Sequence, residues 1–202
     1  SGLPDAATAF YNFPNLNLYT NKHDIVMLAG PTLPKSIEIP GNLVMQLAFK
    51  GTMKAFESTM GMGSSIGSVN LFATLDKNEN FRSKVSLTDF ELGRLMKDTA
   101  MYGPVTLTAE TKGNGLDKNT VTAKIDAAVS KLNLNKYTYH NLTVDGNIHG
   151  QEFEGKVNLN DENAVFGFDG LVNMKPNQEH YKFRLNVQGA NLQKLNFTKD
   201  DI

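Results

Sequence analysis

The 202-residue chain contains no cysteine. That excludes disulfides, thiolate nucleophiles and cysteine metal sites together, without choosing between the cytosol and an exported compartment. Neither sign of charge dominates: the formal net charge is −1, which gives no basis for binding nucleic acid. No apolar run approaches the ~18–20 residues of a membrane span, and no signal peptide is visible. Histidine is sparse, and His23, His140, His149 and His180 lack the spacing of metal ligands, so they read as surface residues. Helical periodicity is scarce as well. With 40% hydrophobic and 20% charged residues, the chain nevertheless has the composition of one that folds.

What fills the sequence is alternation with a period of two, the mark of a sheet with one apolar face. It runs through 43–50, 69–76, 105–111, 121–129, 142–148, 153–159, 164–174 and 181–187. The cleanest case sets Val121, Ala123, Ile125, Ala127 and Val129 against Thr122, Lys124 and Asp126. Turn-forming clusters separate these runs: Asn78 to Asn80, Gly113 to Gly115, His149 to Gln151, Asn160 to Asn163 and Lys175 to Asn177. Short turns between consecutive strands predict an antiparallel meander. Asp89 to Met96 is expected to form about two helical turns, capped by Thr88 or Asp89. Asn191 to Leu195 is expected to form one. Pro14, Pro31, Pro34 and Pro40 interrupt the first forty residues, where edge strands and loops are expected.

The chain also repeats itself. Segment 81–95 returns as 181–195, matching Phe81 with Tyr181, Val85 with Leu185, Leu87 with Val187, Leu92 with Leu192 and Leu95 with Leu195. Segment 41–51 returns more loosely as 103–113. Repeats of this kind bury their apolar faces against neighbours and present extended surfaces. No shift in composition marks a boundary. Residues 1–202 therefore read as a single repeat-containing unit, irregular over 1–40 and regular over 41–190, and as a piece of a longer protein.

Chemistry-bearing motifs fail on inspection. Asp76 to Asn80 opens like a calcium loop, but Phe81 stands where glycine is needed and Leu87 where glutamate is needed, so a polar hairpin turn is the reading. Gly61 to Gly67 resembles a phosphate loop, yet it leads into a strand and has no lysine; a bulge or bend is expected there. Ser, His and Asp are present without a frame that would hold them as a triad. No catalytic residues, metal or cofactor are expected, and the chain reads as not an enzyme.

A sheet with one apolar face must cover it, and the sequence holds too few helices to do so. Two solutions remain: a closed β-sandwich or barrel, the sandwich working as an interaction or adhesin-like scaffold, or a long sheet curled into an open trough.

Tyr137 to Gly146, Phe153-Glu-Gly155, Asp161-Glu-Asn163, Phe168-Asp-Gly170, the leading motif Leu33 to Gly41 and the Leu-x-x-Leu endings resemble the repeating segment of bacterial TamB proteins. These belong to the wider AsmA-like group, and the wording is nearest the Bacteroides-type branch. The resemblance is strongest over 101–202. It implies an all-β, extended and curved antiparallel sheet of β-taco or trough form, with few helical turns. It implies a periplasmic protein anchored in the inner membrane. Its apolar groove would serve phospholipid transport and outer-membrane biogenesis, including protein assembly. The implied partners are phospholipid acyl chains and, through parts absent from this sequence, an outer-membrane barrel protein. Under that reading, Val121, Ile125, Val129, Leu142, Val144, Ile148, Val157, Leu159, Phe166 and Phe168 are the lipid-groove candidates, expected on one concave face.

Overall fold

The computed structural model describes residues 8–29 and 40–198. The motif Leu33 to Gly41 lies largely outside them, as do Pro31 and Pro34. Twelve strands form one antiparallel sheet: β1 (Tyr11–Asn21), β2 (Asn42–Thr52), β3 (Ala55–Ser64), β4 (Gly67–Leu75), β5 (Asn80–Glu91), β6 (Tyr102–Asn114), β7 (Thr122–Leu134), β8 (Tyr137–Tyr139), β9 (Leu142–His149), β10 (Glu152–Asn160), β11 (Ala164–Asn173) and β12 (His180–Ala190). Helices α1 (Lys22–Ala29) and α2 (Leu92–Met96) interrupt it. Each strand pairs with its sequence neighbour, except that β7 pairs with both β8 and β9. β1 and β12 stand at opposite edges and do not meet, so the sheet is extended and curved rather than closed into a barrel. Among the described residues there is no second sheet to make a sandwich.

Register follows from the alternation, because a slip of one residue would turn every apolar side chain to the wrong face. The polar face carries its own record. Lys84, Glu110, Asp126, Asp145, Lys156, Asp169 and Arg184 stand opposite one another on consecutive strands from β5 to β12. Within that row Lys84 pairs with Glu110 at 2.6 Å, and Lys156 with Asp169 at 3.9 Å. These pairs are exposed and contribute little each.

The edge strand expected among the N-terminal prolines is present. β1 is an eleven-residue strand, and Pro14 falls where its register on β2 shifts between Phe13 and Leu16. A residue without an N–H is tolerated at such a bulge on an edge strand. The helix α1 that follows carries no strong periodic signal. Gly61 and Gly63 sit in unbroken register on both β2 and β4 and make no bulge; the bend expected in this segment falls at Ser65 and Ile66, before Gly67 (φ 110°).

The second expected helix starts later than its sequence cap. Asp89 has φ of 44° at a bulge in β5, and α2 begins only at Leu92 with Glu91 as its N-cap residue. Its end is a left-handed residue, Lys97 (φ 56°), with Lys97 N–H donating to Arg94 O at 3.3 Å and Asp98 N–H to Gly93 O at 2.8 Å. The same ending recurs after β12. Asn196 has φ of 61°, its N–H donates to Gln193 O at 3.0 Å and the Phe197 N–H donates to Leu192 O at 2.9 Å. Both are Schellman-type endings. The second turn starts at the matching place, where Asn191 Oδ1 accepts from Lys194 N–H at 3.0 Å, but it closes one residue sooner. The repeat of 81–95 as 181–195 is thus a repeat of strand, bulge and capped turn, with the last copy trimmed by one residue.

Candidate functional site

The apolar faces of the strands join into rows that cross the whole sheet. Leu18, Met45, Met62, Val69, Leu87, Leu107, Val129, Leu142, Leu159, Phe166 and Val187 are partnered strand by strand from β1 to β12. The next row is Leu16, Leu47, Met60, Leu71, Val85, Ala109, Ala127, Val144, Val157, Phe168 and Leu185. No charged residue stands in either row, and together they make a floor about 48 Å long at ~4.8 Å per strand step. Like residues on opposite faces report which side is sheltered. Ala127 and Thr111, on the floor side, are partly buried; Ala128 and Thr108, on the other side, are exposed. The floor is the inner face of the curve.

This floor is not covered. Among the described residues only Ile66, Phe90, Val105, Val129, Tyr139, Leu159, Ala164 and Leu195 are buried apolar residues, and all lie toward one end of the strands. There, α2 and the turn after β12 fold over the sheet. Ile66, Phe90, Val105 and Val129 form one cluster, with Leu92 and Leu95 packed on it. Tyr139, Leu159, Ala164 and Leu195 form the next, and Leu132 and Leu142 touch both. The sheet thus has a closed margin, walled by these clusters, and an open margin where the hairpins β2–β3, β4–β5, β6–β7, β9–β10 and β11–β12 turn. At the edges the floor meets water most directly: Phe183 on β12 is 52% exposed and Phe13 on β1 is 43% exposed.

Register places nine of the ten lipid-groove candidates on the floor side, and Val121 adjoins them at the open margin. Val129, Leu142, Leu159 and Phe166 share the first row; Val144, Val157 and Phe168 share the second. Ile125 lies opposite Gly146, and Ile148 opposite Phe153. Val121 precedes β7 and joins Ile148 and Phe153 around an apolar cavity of about 490 Å³ at the open margin. Leu142, Val157, Leu159 and Phe166 line a second cavity of about 550 Å³, roofed by the turn carrying Leu192 and Leu195. Two of the ten, Val129 and Leu159, are buried in the wall clusters, while the other eight are half-buried. Sequence reasoning missed Ile66 and Tyr139, which anchor the wall. Ile66 sits in a two-residue turn and Tyr139 in a three-residue strand, where periodicity has no room to show.

Among the described residues one buried charge, Asp161, braces the wall. The Asp161 carboxylate accepts hydrogen bonds from Tyr137 Oη, from the His140 N–H at 2.9 Å and from the Asn163 N–H at 2.9 Å, with His140 Nδ1 at 3.4 Å. Burial alone would raise its pKa; these donors together outweigh burial and hold it below the ordinary carboxylate value. The cluster pins the step from β8 to β9 at Asn141 (φ 56°) against the β10–β11 turn. Asp76 makes the expected polar turn, accepting from Asn78 N–H at 2.8 Å and Asn80 N–H at 2.9 Å. Among the described residues no group of His, Asp and Glu is placed to hold a metal ion, and no helix is long and apolar enough to cross a membrane. Comparison with family models, with curated proteins and with solved structures finds no significant match.

Proposed function

We propose that this chain is a groove segment that holds phospholipid acyl chains and passes them along its floor, without catalysing a reaction. The observation that carries the reading is the uncharged apolar floor, continuous through eleven paired strands and left open along one margin. A fold seeking only stability gains roughly 1.5–3 kcal/mol for each large aliphatic it buries. Here most of the floor forgoes part of that gain and the edge strands forgo most of it, and an extended apolar surface left accessible in this way marks a binding face. The sequence resemblance to the repeating segment of TamB proteins supports the same reading. It supplies the wider setting we propose: a periplasmic, inner-membrane-anchored protein of the AsmA-like group, serving phospholipid transport and outer-membrane biogenesis. Acyl chains need no specific hydrogen bonds, only a continuous apolar track, and the rows provide one.

The test is photo-crosslinking in cells from Ile125 or Val144, both half-buried on the floor. Lipid adducts from both positions are expected. Adducts to protein alone would favour an interaction scaffold.

A further inference from the structure

The two margins of the floor differ in a way that says where a lipid head group sits. At the closed margin the floor ends against Ile66, Phe90, Leu95 and Leu195, and the basic residues there, such as Lys97, Lys136 and Lys194, stand beyond that wall. At the open margin the floor runs straight out to the hairpin turns. Four of those five turns carry one lysine each: Lys54 between β2 and β3, Lys77 between β4 and β5, Lys118 between β6 and β7, and Lys175 between β11 and β12.

The geometry points to these four lysines as the contacts for the phosphate of a groove-bound phospholipid, an inference that rests on the groove reading above. All four are exposed, and among the described residues none makes an ion pair, whereas Lys84, Lys124, Lys131 and Lys156 on the polar face each face a carboxylate. Three of the four acids in these turns have carboxylates that accept from their own turn's backbone. Asp76 accepts from Asn78 and Asn80, the Asp117 carboxylate from Asn119 N–H at 2.7 Å, and the Glu179 carboxylate from Asn177 N–H at 3.3 Å. Glu79 shares a turn with Lys77 without pairing to it.

Three of the lysines also sit beside an exposed apolar side chain: Met53 at 56%, Leu116 at 62% and Met174 at 60%. An ammonium next to an exposed aliphatic is the arrangement that suits the boundary between head group and acyl chain. Lys118 shows it in one place. It stands at the mouth of the 490 Å³ cavity whose lining includes Ile148, Phe153 and Met174. Hairpin turns on one margin recur every second strand, about 10 Å apart. Lys54, Lys77 and Lys118 follow one another at that spacing, so a phosphodiester can pass from one toward the next while its acyl chains stay on the floor; the β9–β10 turn has no lysine, and the step on to Lys175 is about 20 Å.

The experiment compares two labelled lipids with identical acyl chains, a phosphatidylglycerol and a diacylglycerol, by fluorescence anisotropy with the purified chain. The unaltered chain is expected to bind both and to prefer the phosphate-bearing lipid. The variant K54Q/K77Q/K118Q/K175Q should lose about fivefold in affinity for the phosphatidylglycerol and nothing for the diacylglycerol. A control with the same charge loss at the closed margin, K22Q/K97Q/K136Q/K194Q, should keep the preference. If the unaltered chain binds both lipids equally, or the first variant keeps its preference, the lysine assignment fails while the groove stands. Equal loss in both quadruple variants would reduce it to net charge and overturn it. Saturable binding of inorganic phosphate that the first variant loses would assign the lysines to free anions and overturn it too. If the unaltered chain binds neither lipid, the groove reading itself falls.

Discussion

The ring of Phe153 occupies the space that a side chain on Gly146 would need: a Cβ there would stand 2.5 Å from Phe153 Cε2 and 2.8 Å from Glu154 O. Gly146 and Gly155 are direct partners on β9 and β10, so the aromatic ring fills a notch that two glycines leave in the floor. Gly146→Ala must push the ring or the backbone aside and is expected to cost about 1–3 kcal/mol. Gly63 lies in open space on β3, and Gly63→Ala should be neutral or stabilise by up to about 1 kcal/mol through the unfolded chain. Urea unfolding of the two variants checks this; equal effects would mean that Phe153 does not occupy the notch.

The floor and the wall should answer differently to charge. Val129 is buried within the wall cluster, whereas Ile125, four residues earlier on the same face of β7, is half-buried opposite Gly146. An aspartate at Val129 has no path to water and should cost more than about 3 kcal/mol. Ile125→Asp can reach solvent over the open floor and should cost less than half as much. Denaturation midpoints of the pair decide it, and similar losses would mean that the floor is covered.

The strands were legible because a sheet with one sheltered face forces period two, and Val121 to Val129 shows that pattern without a break. Face assignment came with it, so nine of the ten groove candidates fall on one side. What was not legible lies where the chain turns or where an interaction is non-local. Ile66 has no periodic neighbours, yet it is the most buried apolar residue among those described. Asp89 looked like a helix cap, but β6 captures this stretch as strand and bulge, and the Thr106 hydroxyl accepts the Asp89 N–H at 3.0 Å. The prolines of the first forty residues pointed to an edge strand and β1 is one, but the bulge in its register on β2 that accommodates Pro14 was not legible. The closed margin itself arises from two capped turns folding back over the sheet, and local sequence specifies such turns without saying what they cover.

The two leucines of the last turn separate sequence repetition from structural duty. Leu195 is 3% exposed within the second wall cluster; Leu192 is 43% exposed. Leu195→Ala should cost about 2–4 kcal/mol, as expected for a buried leucine, and Leu192→Ala less than about 1 kcal/mol. Thermal or urea unfolding of each variant measures this. Equal costs would mean that the turn does not hold the wall.

Asp161 gives the fold a defined acid sensitivity. Its carboxyl is held below the ordinary value, while in the unfolded chain it titrates near about 4. As pH falls through that value the unfolded chain takes up the proton first, and the folded chain resists until lower pH. The stability contributed by this group is therefore complete above about pH 4 and is lost as pH falls toward the folded value. Asp161→Asn removes the charge and presents an amide to a set of donors, so one of Tyr137 Oη, His140 N–H and Asn163 N–H loses its acceptor. The variant should be less stable at neutral pH by about 2 kcal/mol. Below pH 4 the difference from the unaltered chain should shrink, because protonation removes from the latter what the substitution has already removed. Urea midpoints measured at neutral pH and at several acid values test both statements. A difference that stays constant across that range would show that the donors around Asp161 do not favour its ionised form.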